Sequence, residues 1–322
     1  MIEQNRIARI LTLGAAPTLH DAPHPEPGPD DAVIRIRAAA LNFADLLKAQ
    51  GRYQEPADPP FVPGLEGAGD VVSAPAGSGL VPGQRVAVCA PGTMARYAAL
   101  PARACIPIPD AMSYAQAAGF QIAYGTSHLA LTGRGGLAAG ETLAVLGAAG
   151  GVGLTAVEIG AALGARVIGV ARGAGRLQSV RAAGAAEVID SDATPDLRAA
   201  LRDLGGVDVI YDPVGDTPGA QAFGALRRGG RHLVIGFAGG QPPSLPLNHA
   251  LVKNIAIHGF YWGGYHSLDP QALRDSLRAL FDLYAGGLLN PVIGDSLPLE
   301  QLPEGFAMLR ARTSVGKIVI TP

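Results

Sequence analysis

The stretch VLGAAGGVGLTAVEIG (145–160) decides the fold class. The run ETLAVLG (141–147) before and into it is short and almost wholly apolar, the pattern of a parallel strand buried on both faces. GVGLTAVEIGAALG (151–164) carries apolar residues at helical spacing. Between them lie Gly147, Gly150, Gly151 and Gly153, with Ala148 where the first glycine of a G-x-G-x-x-G pattern would stand. A glycine turn between strand and helix lets backbone N–H groups face an anion with no Cβ in the way, and the helix N-terminus adds partial positive charge. The loop reads as a pyrophosphate cradle; the competing reading is a tight structural turn.

The residues after the loop support the cradle. RVIGVA (166–171), AEVID (186–190), VDVIYD (207–212) and RHLVIGF (231–237) read as strands. GRLQSVRAAG (175–184), DLRAALRDLG (196–205) and GAQAFGALRRGG (219–230) read as the helices between them, and IAIHGFYW (255–262) as a sixth strand. Alternation of this length implies right-handed crossovers and a doubly wound parallel sheet of the Rossmann kind, an α/β fold. Residues 1–120 differ in texture. AVIRIRAAAL (32–41), GDVVSA (69–74) and GQRVAVCA (83–90) are short β-type runs between Gly and Pro breakers, and NFADLLKAQ (42–50) has a brief helical pattern. A small β-barrel-like domain is expected there. The tail offers an amphipathic helix over 269–287, a helix near 300–311 and a last strand, GKIVIT (316–321).

Composition excludes several function classes. The 322 residues allow about two domains. At 48% hydrophobic and 16% charged, the chain is too apolar for disorder. A net charge of -2, with no basic run, argues against a nucleic-acid surface. Cys89 and Cys105 are too few for a disulfide scaffold or a four-cysteine zinc lobe. Glu3, Arg6 and Arg9 interrupt the N-terminus, so no secretory signal is expected, and no apolar run is long enough to span a membrane. The expected compartment is the cytoplasm.

The end of the second strand bears on the cofactor. A dinucleotide without a 2'-phosphate usually meets Asp or Glu there. Here the residues are Ala171, Arg172, Gly173 and then Arg176, with no acid before Glu187. Two arginines favour a 2'-phosphate, hence NADPH, unless they are ordinary solvated charges.

NFADLLKAQGRY (42–53), PFVPGLEGAGDV (60–71), the loop at 147–153 and TSVGKIVI (313–320) together resemble the zinc-independent medium-chain dehydrogenase/reductase proteins, in particular NADPH:quinone oxidoreductases of the zeta-crystallin type. The resemblance runs over essentially the whole chain. It implies a GroES-like catalytic domain over 1–120, a Rossmann NADPH-binding domain over 121–262 inserted in it, and a return to the catalytic domain over 263–322. It also implies a homodimer or tetramer, of which the dimer is expected here.

The resemblance places Asn42 and Tyr53 in the substrate cleft beside the nicotinamide, and Thr126 near its carboxamide. Asn42 also reads as the cap of the following helix, and Tyr53 as a turn-packing aromatic. Cofactor-binding positions carried over are Thr126, Gly147, Ala148, Ala149, Gly150, Gly151, Val152, Arg172, Arg176, Phe237, Ala238, Gly239 and Phe260. Two positions depart from the family pattern: Ser191 stands where a Tyr often follows the third-strand acid, and Leu47 where a second cleft Tyr can occur.

Zinc-dependent relatives place Cys after the early strand and His in a G-H-E motif; this chain has Asn42-Phe43-Ala44-Asp45 and Gly64-Leu65-Glu66. Its seven histidines show no metal spacing, so no metal site is expected. Without a Lewis acid, the chemistry expected is hydride addition to an electron-poor carbon conjugated to a carbonyl, as in a quinone or enone. An enoyl-thioester reductase of the acryloyl-CoA type is the alternative within enzymes. A non-catalytic NADPH-binding protein, crystallin-like or RNA-binding, is the alternative from another class.

Overall fold

A computed structural model describes residues 4–322, so Glu3 lies outside the described residues. The chain divides into two compact units, one of Met1–Ile122 with Pro291–Pro322, the other of Ala123–Asn290. The stretch 263–290, read from the sequence as part of the return, therefore falls with the second unit.

In chain order the elements begin with β1 (Asn5–Arg9), β2 (Thr18–Ala22), β3 (Asp31–Ala40), α1 (Phe43–Ala49), β4 (Glu66–Ser73), β5 (Arg85–Cys89), β6 (Tyr97–Pro101), β7 (Cys105–Pro107), α2 (Tyr114–Ala118) and α3 (Gln121–Leu129). The alternating region comes next as β8 (Thr142–Leu146), α4 (Gly151–Ala162), β9 (Arg166–Ala171), α5 (Ala174–Ala182), β10 (Glu187–Asp190), α6 (Leu197–Asp203), β11 (Val207–Asp212), α7 (Asp216–Phe223), β12 (Leu226–Val234), α8 (Leu247–Lys253) and β13 (Ala256–Gly259). The chain closes with α9 (Tyr265–Leu268), α10 (Pro270–Ala285), β14 (Ile293–Pro298), α11 (Leu302–Ala311) and β15 (Lys317–Thr321).

The second unit holds a six-stranded sheet in the order β10-β9-β8-β11-β12-β13, and every pair in it is parallel. The order reverses at β8, the central and most buried strand, whose residues are all buried. Its core joins Leu146, Ile168, Val170, Ile210 and Phe223. Two sequence readings change here. The helix expected over 219–230 ends at Phe223, and Leu226–Gly230 instead open β12. Leu226 pairs with Val207 and Arg231 with Val209, and the irregularity between them absorbs Gly229, at φ 74°. The sixth strand is shorter than read: β13 stops at Gly259, and Phe260 to Trp262 run past its end.

In the first unit, β1 and β2 form an antiparallel pair, and the larger sheet runs β14-β15-β3-β4-β5-β7 with β6 also paired to β3. β3 is the hub, and its register places the buried polar groups of this unit. Ala40, near its end, lies opposite both Glu66 of β4 and Val319 of β15. Leu41 then donates its N–H to the Ile318 carbonyl at 2.9 Å. Three segments far apart in sequence, around residues 42, 66 and 317, are thereby brought to one corner of the sheet.

Candidate functional site

In the second unit the residues expected to bind a cofactor come together along the carboxyl ends of the parallel strands, where open α/β sheets bind ligands at the point of strand-order reversal. Gly147 leaves β8 at φ 59°, open to few residues other than glycine. Gly153 sits in the first turn of α4, and a Cβ there would lie 2.1 Å from the Gly147 carbonyl oxygen. Helix and turn thus approach to a distance that only glycine permits. Gly150 caps α4 with no side-chain hydrogen bond, so the N–H groups of the first turn lack a capping side chain. Below it, the Ser127 hydroxyl donates to the Val152 carbonyl at 2.9 Å and lies 2.8 Å from Thr155 Oγ1 and 3.0 Å from the Tyr211 hydroxyl. This buried hydroxyl group fixes the start of α4 against α3 and β11.

The neighbouring loops interlock with this one. Ala148 donates its N–H to Val170 at the end of β9, at 2.9 Å. Ala238 and Gly239 donate to the carbonyls of Pro213 and Val214 at 3.0 and 2.7 Å. A Cβ on Gly147 would touch Val214, and one on Gly215 would touch Phe237. Phe237 is largely exposed at this edge, whereas Ala148 and Ala149 are buried. Phe260 is buried and donates its N–H to Val234 at 3.0 Å. Thr126 is buried in α3, and its neighbour Gly125 packs against the Trp262 indole.

Arg172 stands exposed just past β9, and Arg176 lies in the first turn of α5. Gly173 between them, at φ 80°, donates its N–H to Asp190 Oδ1 at 3.0 Å. That carboxylate, also bonded by the Asp192 N–H, is held below its usual pKa by these backbone donors. The residues of this edge fit a dinucleotide. An uncapped helix N-terminus faces outward where the strand order reverses, open space surrounds a Cβ built on Gly173 or Gly175, and Arg172 and Arg176 follow the end of β9 in the chain.

The first unit holds Asn42 and Tyr53. Tyr53 is half-buried in the loop after α1. Asn42 caps α1, and it does more than cap. Its Nδ2 donates to Glu66 Oε1 at 2.9 Å, and its Oδ1 accepts from Lys317 Nζ at 2.7 Å. Lys317 also bonds Glu66 Oε1 at 2.9 Å, and Glu66 Oε2 accepts the Ile122 N–H at 2.9 Å. Asp45 Oδ2 accepts the Asn42 N–H at 2.8 Å, and its Oδ1 accepts from Gly64 at 3.2 Å. All four side chains are buried.

The sequence reading did not assign a role to Glu66 or Lys317. One signal was available: Lys317 is one of three lysines, against 22 arginines implied by 25 basic residues, and it stands at the head of an apolar strand. Leu65, in the place of a metal-binding His, is half-buried.

The chain is similar to known proteins over most of its length. Residues 28–110 match the family model for the alcohol dehydrogenase GroES-like domain, and 151–281 that for zinc-binding dehydrogenases. A quinone oxidoreductase-like protein 2 homolog from Nematostella vectensis is 37% identical, over 91% of this chain and 82% of the relative. Bovine prostaglandin reductase-3 is 32% identical, over 93% of this chain and 83% of its own length. Among solved structures, the quinone oxidoreductase of Thermus thermophilus, also determined with NADPH, is 30% identical and superposes with a TM-score of 0.88 over 98% of this chain and all of that one.

Burial pushes the Asp45 carboxyl up to about 7, with the Glu66 charge adding to it and the Asn42 N–H and the Lys317 ammonium opposing it. The native fold then keeps a proton that the unfolded chain, at its ordinary 3.8, has released. The stability this proton brings is complete below the unfolded value and is lost as pH rises towards 7. In denaturant melts from pH 4 to 8, wild-type stability is expected to fall relative to Asp45→Asn by on the order of a few kcal/mol. Parallel curves for the two proteins would show that Asp45 is ionised in the fold throughout.

Proposed function

The chain belongs to the medium-chain dehydrogenase/reductase family, in its quinone oxidoreductase-like group, and from that premise we propose that it is an NADPH-dependent reductase of quinones or other α,β-unsaturated carbonyl compounds. The observation that carries the reading is the end of β9. Arg172 and Arg176 follow it in the chain, residues 171–176 contain no acid, and α4, which starts after the neighbouring strand, has no side-chain cap. These groups suit a 2'-phosphate and a pyrophosphate respectively. Bound there, NADPH supplies a hydride.

In this reading the chain's own residues bind and orient the reactants. Gly147 to Val152 take the pyrophosphate. Thr126, Phe237, Ala238, Gly239 and Phe260 border the nicotinamide end. Asn42 and Tyr53 donate hydrogen bonds to the acceptor's carbonyl oxygen as negative charge develops on it. Asn42 is suited to this because its bonds to Lys317 and Glu66 use Oδ1 and only one of the two Nδ2 hydrogens.

We infer that zinc is not required. Leu65 cannot ligate, and among the described residues no group of three His, Cys, Asp or Glu could hold a metal ion. Turnover of quinones and enones is supported by the similarity to a quinone oxidoreductase-like protein and to prostaglandin reductase-3, and by a chemistry that needs no Lewis acid. Among the described residues no helix is long and apolar enough to cross a membrane, and both cysteines are free thiols. These fit a cytoplasmic enzyme.

A homodimer is proposed on the β13 side of the parallel sheet. β13 is an edge strand with Ile257 exposed, and α8 buries none of its residues although Leu247, Leu251 and Val252 are apolar. Such an edge is open to pairing with a second copy of the chain.

Three experiments test these readings. NADPH oxidation against quinones, enones and enoyl-CoA esters, on protein dialysed against a chelator, is expected to show turnover with quinones or enones; Tyr53→Phe is expected to lower kcat about tenfold or more while leaving NADPH affinity nearly unchanged. Binding of NADPH with no turnover of any acceptor would favour a non-catalytic role, and activity restored only by zinc would overturn metal independence. The kcat/KM ratio of NADPH to NADH is expected to be roughly tens- to a few hundred-fold and to fall in Arg172→Ala and Arg176→Ala; equal use of NADH by wild type would make both arginines plain surface charges. Sedimentation at micromolar concentration is expected to show a dimer, and a monomer would refute the edge-pairing proposal.

A further inference from the structure

Lys317 and Glu66 make a buried ion pair whose purpose stability does not explain. Removing two charges from water costs about as much as their attraction returns, and well-packed apolar residues often serve as well or better. Yet the fold makes room for this pair. A Cβ on Gly119 would lie 3.0 to 3.3 Å from the Lys317 stem. A Cβ on Gly316, at φ 70°, would lie 2.5 Å from the Val292 carbonyl oxygen. Gly119 thus leaves room for the lysine stem, and Gly316 lets the backbone just before it pass close to Val292.

The pair gives the Asn42 carboxamide two chemically different neighbours. An ammonium only donates and a carboxylate only accepts. With Lys317 on Oδ1 and Glu66 on Nδ2, each end of the amide meets its complement. Rotating the amide by half a turn would set NH2 against the ammonium and C=O against the carboxylate, and both contacts would repel. Glu66 is itself held, because Oε2 takes the Ile122 N–H while Oε1 serves Asn42 and Lys317. Asn42 keeps 8% of its surface exposed and Lys317 7%, against 1% for Glu66, so the carboxylate is the inner member of the network.

We propose that Lys317 is a positioning residue which, through its hydrogen bond to Asn42 Oδ1 and its ion pair with Glu66, fixes the Asn42 carboxamide with an N–H directed at the acceptor's carbonyl oxygen. The proposal rests on the reading of Asn42 given above, and the test separates the two.

A double-mutant cycle on kcat is measured with Asn42→Ala, Lys317→Met and both together. A charge-neutral companion, Lys317→Met with Glu66→Gln, covers the case in which the single change leaves a lone buried carboxylate and the protein does not fold. Thermal unfolding and NADPH binding by fluorescence are recorded for each. Lys317→Met, or the neutral companion, is expected to lower kcat about ten- to a hundredfold with the NADPH dissociation constant within about twofold. In the Asn42→Ala background the same change is expected to cost little more, because a residue that acts through another has nothing left to position. Lys317→Arg, which keeps a donor and the charge, is expected to restore part of the loss. Multiplying effects would mean that Lys317 acts on the acceptor directly, and unchanged kcat in the folded neutral companion would mean that the pair is structural; either overturns the proposal while leaving Asn42 in place. No effect of Asn42→Ala would instead refute the reading of Asn42.

Discussion

The approach of α4 to the turn after β8 is the constraint on which the second unit depends. With 2.1 Å between the Gly147 oxygen and any Cβ built on Gly153, no other residue lets the helix begin where it does. Because it begins there, its first-turn N–H groups open at the reversal of strand order. The adjoining loops are then fastened to that turn and to one another through backbone bonds of Ala148, Ala238 and Gly239. A larger residue at 153 would displace the helix start, and with it the edge on which all the proposed cofactor contacts lie.

The two units solve the problem of polar groups differently. Along the parallel sheet the turn after β8 is shaped by glycine and offers main-chain N–H groups. At the corner of the antiparallel sheet the polar groups are side chains, the Lys317–Glu66 ion pair, the Asn42 amide and the Asp45 carboxyl, all buried. Main-chain donors are positioned by φ and ψ. Buried side chains need partners, and each partner here is held by a further one.

That difference explains what the sequence made legible. β8, β9 and β11 are buried on both faces, so they appear as unbroken apolar runs, and the glycine turn beside β8 is visible in the sequence as the proposed phosphate cradle. β12 was misread because LRRGG lacks any strand pattern; its pairing to β11 comes from tertiary context and the irregularity near Gly229. The side-chain network was not legible at all as a set. Asn42 and Glu66 are 24 positions apart, and Lys317 is 275 from Asn42. No spacing rule links residues that meet only because β3 pairs on one side with β4 and on the other with β15. The resemblance singles out Asn42 and its neighbours suggest its capping position, but its partners follow only from register.

A third buried carboxyl group, in the other unit, shows the same logic at work. Asp212, at the end of β11, faces His232 Nε2 at 3.0 Å through Oδ2 and takes the N–H groups of Val214 and Gly215 through Oδ1 at 2.9 and 2.7 Å. It holds the turn that Ala238 and Gly239 then bind. Asp212, Glu66 and Asp45 each accept at least one backbone N–H, so each converts the cost of burying a carboxylate into the placement of a loop or a side chain. An apolar core would fold as well, but it would leave those turns and the Asn42 amide free to rotate. Buried polar side chains in this protein are therefore a means of orientation, each fixing a turn or a neighbouring side chain in one direction.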